Sequence, residues 1–352
     1  MTVLDIKPEF ECRWNLVSLG EVMLRFDPGD ERIHTTRQFR VFEGGGEYNV
    51  ARSLRKVFAQ RTAIVTALTR NPIGSLIEDL ILQGGVDTSQ ILWRSSEIDQ
   101  TRNGIYFIER GFGLRAPSSC FDREHTAVSQ IQSHEIDWNL IFGEIKTQWF
   151  HTGGIFAGLS DSTPQIAALA MQIASQQGAM VSYDLNYRNS LWKTRGGRLA
   201  ANEVNNRLLP FADVVFGVPD FDSKLSRFDE RQFTAAAEKL HAQFPNVKII
   251  ATTLREVESA NRHNFGGTIW TNQGVFTARN YFKTEVFDRV GSGDAFASGV
   301  IYGLLTGEGE QFAVDCGTAH AVLAMTTPGD NSMATSDEVR QLMQEMNAEA
   351  KR

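Results

Sequence analysis

The residues best suited to chemistry stand where the run Val286-Phe287-Asp288-Arg289-Val290 meets the small-residue turn Gly291-Ser292-Gly293-Asp294 and an apolar stretch opens at Ala295-Phe296. This order predicts a strand, a tight turn and a helix. The first N–H groups of a helix lack intrahelical partners, and the aligned peptide dipoles add positive potential, so a phosphate fits at such a turn. Asp294 at its mouth would repel that phosphate and makes no sense as a further ligand to it. It does make sense as a base that takes the proton of an incoming hydroxyl while the turn amides hold charge on a transferring phosphoryl group. The competing role is helix capping, because Asp is favoured at N-caps and Gly-rich turns often precede helices. The local pattern alone leans slightly toward the cap.

Two further constellations accompany this turn. Glu43-Gly44-Gly45-Gly46-Glu47-Tyr48-Asn49-Val50 also precedes a helical pattern, and its glycines would let a ligand approach the backbone closely. Asn49 could hydrogen-bond a polyol or cap the helix. The cluster lacks the G-x-G-x-x-G spacing and the βαβ setting of a dinucleotide site, which leaves that reading weak. Asp184-Leu185-Asn186-Tyr187-Arg188 falls at the C-terminal end of a predicted strand, where open α/β sheets bind ligands. Arg188 there, and Arg123 in Phe121-Asp122-Arg123, could each grip a carboxylate by a charge-assisted pair. Taken singly, each arginine reads sooner as a surface or ion-pair residue. The seven histidines show no HxxxH or HExxH pairing, and no Walker A run is present, which disfavours a protein-ligated metal and a P-loop ATPase. His151 reads as a satisfied strand residue.

Positioning these residues takes a sheet and its helices. Short apolar runs at 16–19, 62–68, 148–151, 179–185, 212–216 and 247–252 read as buried strands. Between them Val50, Leu54 and Val57, and again Ile166, Leu169, Ala170 and Ile173, recur with helical period. The alternation implies an α/β fold with a mainly parallel sheet and helices on both faces. Residues 22–43 and 104–122 break the rhythm and read as β insertions that could cover a substrate or pair two subunits. A hairpin is expected around Asn272-Gln273-Gly274, and a closing helix at 335–346 with a Thr335/Glu338 capping box.

A chain of 352 residues, 42% hydrophobic, can bury a large core. The charged residues among the first fifteen exclude a signal peptide, and the apolar run 295–305 is too short to span a bilayer. A net charge of -7 argues against nucleic acid or an anionic membrane as the main partner. Cys12, Cys120 and Cys316 are odd in number and widely spaced, as expected of buried thiols in a reducing cytoplasm.

Together these motifs resemble the ribokinase-like, or PfkB, carbohydrate kinases, from Gly20 to about Asp337. The resemblance implies a three-layer αβα sandwich, one domain over 1–352, with a discontinuous β lid from about 22–43 and 104–122. It implies ATP and Mg²⁺, a cytoplasmic enzyme, and a homo-oligomer paired through the lid, a dimer first. In that family's pattern Asp294 is the catalytic base and Gly291, Ser292 and Gly293 form the anion hole. Within the family the chain looks most like 2-keto-3-deoxygluconate kinases, through Gly20-Glu21-Val22-Met23-Leu24-Arg25, Gly104-Ile105-Tyr106, Gly154-Ile155, Asp288-Arg289-Val290 and Pro328-Gly329-Asp330 besides the runs above. By position this implies sugar contacts from Gly45, Asn49, Tyr106, Arg123, Ile155, Arg188 and Asp330, with Arg289 as an extra phosphate contact. The 6-hydroxyl of a sugar acid would then attack the γ-phosphate. The alternatives are a kinase for another ketose or deoxy sugar acid, and a sugar-binding member with little catalysis. Three departures stand out. Phe121 replaces a usual tyrosine; the N-x-x-E motif appears as Gly217-Val218-Pro219-Asp220, leaving Asp220 alone for the metal side; and Thr252-Thr253-Leu254-Arg255 lacks a glycine-rich nucleotide loop.

Overall fold

Neighbouring apolar residues on the central strands are buried on opposite faces. Leu16, Ile64, Trp149, Val214 and Ile249 enter one core, while Val17, Val65, Phe150, Val215 and Ile250 enter a second. This is the two-residue period of strands covered on both sides. The computed structural model describes residues 4–95, 100–219 and 221–344. Its strands are β1 (Trp14–Leu19), β2 (Met23–Asp27), β3 (Arg40–Gly44), β4 (Thr62–Thr69), β5 (Ile91–Arg94), β6 (Ile105–Glu109) and β7 (Ser118–Asp122). They continue with β8 (Thr147–Gly153), β9 (Met180–Asp184), β10 (Val214–Phe216), β11 (Ile249–Ser259), β12 (Arg262–Thr271), β13 (Gly274–Thr277) and β14 (Tyr281–Glu285). The large sheet runs β13-β12-β11-β10-β9-β8-β1-β4-β5, with β14 also on β12. From β11 to β5 every pairing is parallel, and β12, β13 and β14 add antiparallel.

Helices α1 (Gly46–Lys56) and α2 (Pro72–Gln83) cover one face; α3 (Gly154–Ala157), α4 (Thr163–Gln176), α5 (Asn189–Trp192), α6 (Gly197–Leu208) and α7 (Glu230–Gln243) cover the other. The first layer is completed by α8 (Ser292–Leu305), α9 (Glu310–Ala324) and α10 (Ser336–Met343). Thr335 caps α10 in the expected capping box with Glu338; Met346, in the expected extension of this helix, lies outside the described residues. No helix among the described residues is long and apolar enough to cross a membrane. The fold is therefore the expected α/β sandwich with a mainly parallel sheet.

A separate four-stranded sheet runs β3-β2-β6-β7. Phe26 and Phe107 stack with ring centroids 5.2 Å apart and Phe39 meets both edge-on, which gives this thin layer an apolar centre of its own. Its β2 follows β1 directly, so the small sheet rises from the C-terminal end of a central strand.

Two expectations are corrected. Residues 286–290 form no strand: β14 ends at Glu285, the amides of Phe287 and Asp288 donate to the Met325 carbonyl, and the Asp288 carboxylate accepts from the Val290 amide. These bonds turn the backbone away from any ladder. Cys12 and Cys316 are buried, but Cys120 is exposed. It sits on β7, an edge strand exposed along its whole length.

Candidate active site

The turn before α8 is built around Gly291, which holds a left-handed conformation (φ 78°) and serves as the N-cap. A Cβ at Gly291 would also run into the Asp330 carbonyl oxygen, so two independent constraints select glycine there. The Ser292 hydroxyl donates to the Arg289 carbonyl at 2.9 Å, and Gly293 faces open space. Asp294, third in the helix, makes no capping hydrogen bond. Its Oδ2 instead accepts from Asn49 Nδ2 at 2.6 Å. The structure thus removes the capping alternative and leaves the carboxylate directed toward the start of α1. Removal from water pushes the Asp294 carboxyl up to about 7; the Asn49 hydrogen bond pulls against this, Asp184 and Asp330 add to it, and Arg188 opposes it.

The first glycine cluster supplies the other wall. Gly45 lies against the Glu21 carbonyl, where a Cβ would collide, and its N–H donates to Asn49 Oδ1 at 3.3 Å. One amide side chain thereby links the α1 turn to Asp294. Glu47, in the same cluster, is buried; its Oε1 accepts from the Phe156 amide at 3.2 Å, while Oε2 has no partner among the described residues. Burial pushes Glu47 up to about 8, with Asp294 and Asp184 adding to the rise against two backbone hydrogen bonds. This burial favours its protonated form.

The small sheet closes a third side through a buried charge network. Arg25 on β2 donates to Asp330 Oδ1 at 2.7 Å, to Asp27 Oδ2 at 2.9 Å and to Asp288. The Tyr106 hydroxyl, on β6, donates to the other oxygen of Asp330. Asp288 leads into the Gly291–Asp294 turn and the Asp330 backbone packs against Gly291, so the small sheet and the turn are tied by one guanidinium. Arg123 Nη2 lies 3.1 Å from Glu21 Oε2, and its guanidinium sits over the Phe121 ring at 4.8 Å. Phe121 stacks on Tyr106 in turn; a ring lacking the hydroxyl still provides a flat platform. Arg188 precedes α5 and is exposed. Its side chain makes no ion pair or hydrogen bond among the described residues.

All of Gly45, Asn49, Tyr106, Arg123, Ile155, Arg188, Arg289, Gly291, Ser292, Gly293, Asp294 and Asp330 line one cavity of about 980 Å³. Asp220 lies outside the described residues. No group of three or more His, Cys, Asp or Glu among the described residues is arranged to hold a metal ion. His151 is buried with Nδ1 2.8 Å from Ser182 Oγ, as expected of a satisfied strand residue. Sequence reasoning did not single out Glu47, Glu21, Arg25, Asp288 or Arg255. A signal was present in two cases: an acid inside a glycine turn, and an arginine in the otherwise apolar start of β2.

A parallel α/β sandwich that sets a helix N-terminus and a raised carboxyl in one polar cavity is suited to phosphoryl transfer. The chain belongs to the pfkB family of carbohydrate kinases, whose model matches residues 14–337, and it is a carbohydrate kinase. That class uses ATP as phosphoryl donor. The chain is 30% identical over 329 residues to a 2-dehydro-3-deoxygalactonokinase of Haloferax volcanii, covering 93% of this chain and 96% of that one. It is 23% identical over 348 residues to a 5-dehydro-2-deoxygluconokinase of Bacillus cereus, covering 95% and 96%. The solved 2-dehydro-3-deoxygluconokinase of Thermotoga maritima superposes with a TM-score of 0.84 at 31% identity, over 94% of this chain and 99% of that one.

Proposed function

We propose that this kinase phosphorylates the terminal 6-hydroxyl of a sugar acid, 2-keto-3-deoxygluconate first among them. The observation that carries the reading is Asp294, held by Asn49 beside the α8 N-terminus, in the same cavity as Arg188, whose side chain has no ion pair or hydrogen bond among the described residues. Two of the relatives above are named for 2-keto-3-deoxy sugar acids that differ at one hydroxyl-bearing carbon. In the proposed reaction the sugar O6 loses its proton to an Asp294 carboxylate oxygen and bonds to the γ-phosphorus, and the bond from that phosphorus to the β-γ bridging oxygen breaks to release ADP. A carboxyl near 7 suits a base working at neutral pH. The amides of Gly291, Ser292 and Gly293 face the transferring oxygens, with Arg289 beside them. Arg188 takes the sugar carboxylate. Arg123, already paired with Glu21, brings less free charge and serves to orient it. Tyr106 and Asp330 hold sugar hydroxyls with Asn49, and Gly45 and Ile155 shape the walls.

Mg²⁺ shields the phosphate charge in such a transfer. Phosphate oxygens and waters would hold it, consistent with a donor set that offers no protein cage among the described residues. We place the enzyme in the cytoplasm, paired through the open edge of β7 over the small-sheet lid. A second reading, a sugar-binding member with little catalysis, is favoured by Gly217 (φ 94°) and Pro219 lining the cavity where an amide side chain is usual.

An ATP-consumption assay over 2-keto-3-deoxygluconate, its galactonate epimer and neutral ketoses tests the substrate. The parent enzyme should prefer the acids. Arg188→Ala should raise KM for them by roughly 10- to 100-fold, the loss of one charge-assisted pair, while neutral sugars react as before. An unchanged preference would overturn the assignment, and sugar binding without any nucleotide binding in calorimetry would favour the second reading.

A further inference from the structure

Charges of both signs line the cavity, Arg123 and Asp184 among them. Its wall toward α1 and the small sheet carries Asp294 and Asp330, the latter neutralised by Arg25. Its opposite wall is formed beyond β9 and β10, on the far side of the sheet from β1, and there Arg255 stands on β11. The backbone of Arg255 is fixed by a 2.9 Å bond from its N–H to the Ser223 carbonyl. Its half-buried guanidinium has no ion pair or hydrogen bond among the described residues and shares the cavity with Arg289 and Arg188. Burial, then the charges of Arg289 and Arg188, lower its proton affinity. A guanidinium that has lost water and has no acidic partner among the described residues is not compensated by them. A polyanion in the cavity would offset that cost and would meet a planar fork suited to two phosphate oxygens at once.

What lies around Arg255 points to the donor. The cavity continues from it along Gly217, Val218, Pro219 and Ser223. This stretch lacks the asparagine of N-x-x-E, and residues 252–255 lack glycine. We propose that Arg255 binds the polyphosphate of the nucleotide donor and, with Arg289, supplies phosphate contacts in place of those that the missing asparagine and glycines would otherwise give. The inference rests on the kinase reading above and adds a residue and its phosphate contacts to it.

The test uses the full-length enzyme, its Arg255→Ala and Arg255→Lys variants, and two probes in calorimetry: Mg-ATP and inorganic tripolyphosphate. Arg255→Ala should weaken both by about 10- to 100-fold, the effect of deleting one charge-assisted contact, with KM for the sugar unchanged. Arg255→Lys, which keeps the charge and loses the fork, should recover part of the affinity. If Arg255→Ala does not fold, Arg255→Gln takes its place, with Gln weaker than Lys as the expected order. Parent affinity for both probes in the Ala or Gln variant overturns the proposal, as does a loss confined to the sugar KM. Those results leave the kinase reading standing; a parent enzyme that binds no ATP would sink both.

Discussion

Replacing Asp294 with asparagine keeps the shape and the acceptor for Asn49 Nδ2 but removes the charge, so it separates the base from its scaffold. The carboxyl is lifted from its ordinary 3.8 to about 7, mainly by removal from water. Between those values the folded chain holds a proton that the unfolded chain has released. Stability therefore falls as pH rises through this window, and the loss is complete above 7. Between about pH 5 and pH 8 it amounts to about 2.7 kcal/mol at 1.36 kcal/mol per pKa unit. The half-buried side chain keeps some water, which brings the figure down to about 1–2 kcal/mol. Asp294→Asn should thus gain stability over the parent as pH rises, by that amount at pH 8. Its turnover should fall roughly 100- to 10,000-fold, the contribution of a general base. Parent kcat/KM should climb with pH to a midpoint near 7 that the variant lacks. Coupled ATP-consumption assays and thermal melts across this pH range measure both effects. Turnover within about tenfold of the parent would refute the base, and a melting difference that stays flat with pH would refute the raised carboxyl.

Arg25→Met leaves Asp288 and Asp330 buried without their guanidinium and should cost about 3–5 kcal/mol in urea unfolding at neutral pH, partly recovered in acid as the carboxylates protonate. Glu47→Gln retains the acceptor for the Phe156 amide; because Glu47 sits near 8 rather than 4.5, the parent loses stability as pH rises through that interval. The variant's melting temperature should therefore match the parent's at about pH 4.5 and exceed it above pH 8.

The large sheet was legible because burial on both faces leaves an apolar run with a two-residue period, as at Leu16-Val17 and Val214-Val215. The α8 turn itself was legible, because glycine and serine before an apolar run mark a helix start, although the local pattern did not separate a cap from a base at Asp294. Long-range charge pairing was not. Arg25 and Asp330 lie 305 residues apart in sequence; the apolar start of β2 hints that Arg25 is buried, but no local pattern names the three carboxylates that pair with it. The same holds for Arg123, whose partner Glu21 comes from the segment between β1 and β2. The misread strand at 286–290 has the apolar content of a strand; what prevents it is tertiary, the Met325 carbonyl that draws off the amides of Phe287 and Asp288.

The arrangement also resolves a conflict in using an aspartate as base here. A triphosphate brings negative charge close to Asp294, and like charges raise each other's proton affinity. With a carboxyl already near 7 and with Asp184 and Asp330 pushing it upward, a bare donor would keep Asp294 protonated and leave the site without a base. Arg188 acts against this in the free enzyme, and Arg289 and Arg255 face the same cavity. Cations placed on the donor's side cancel its field before it reaches Asp294, and Asn49 supplies a hydrogen bond that favours the ionised form. On the proposed mechanism the competence of Asp294 as base depends on the charge layout across the cavity, and substitutions on the arginine wall should reach it through its proton affinity as well as through the donor.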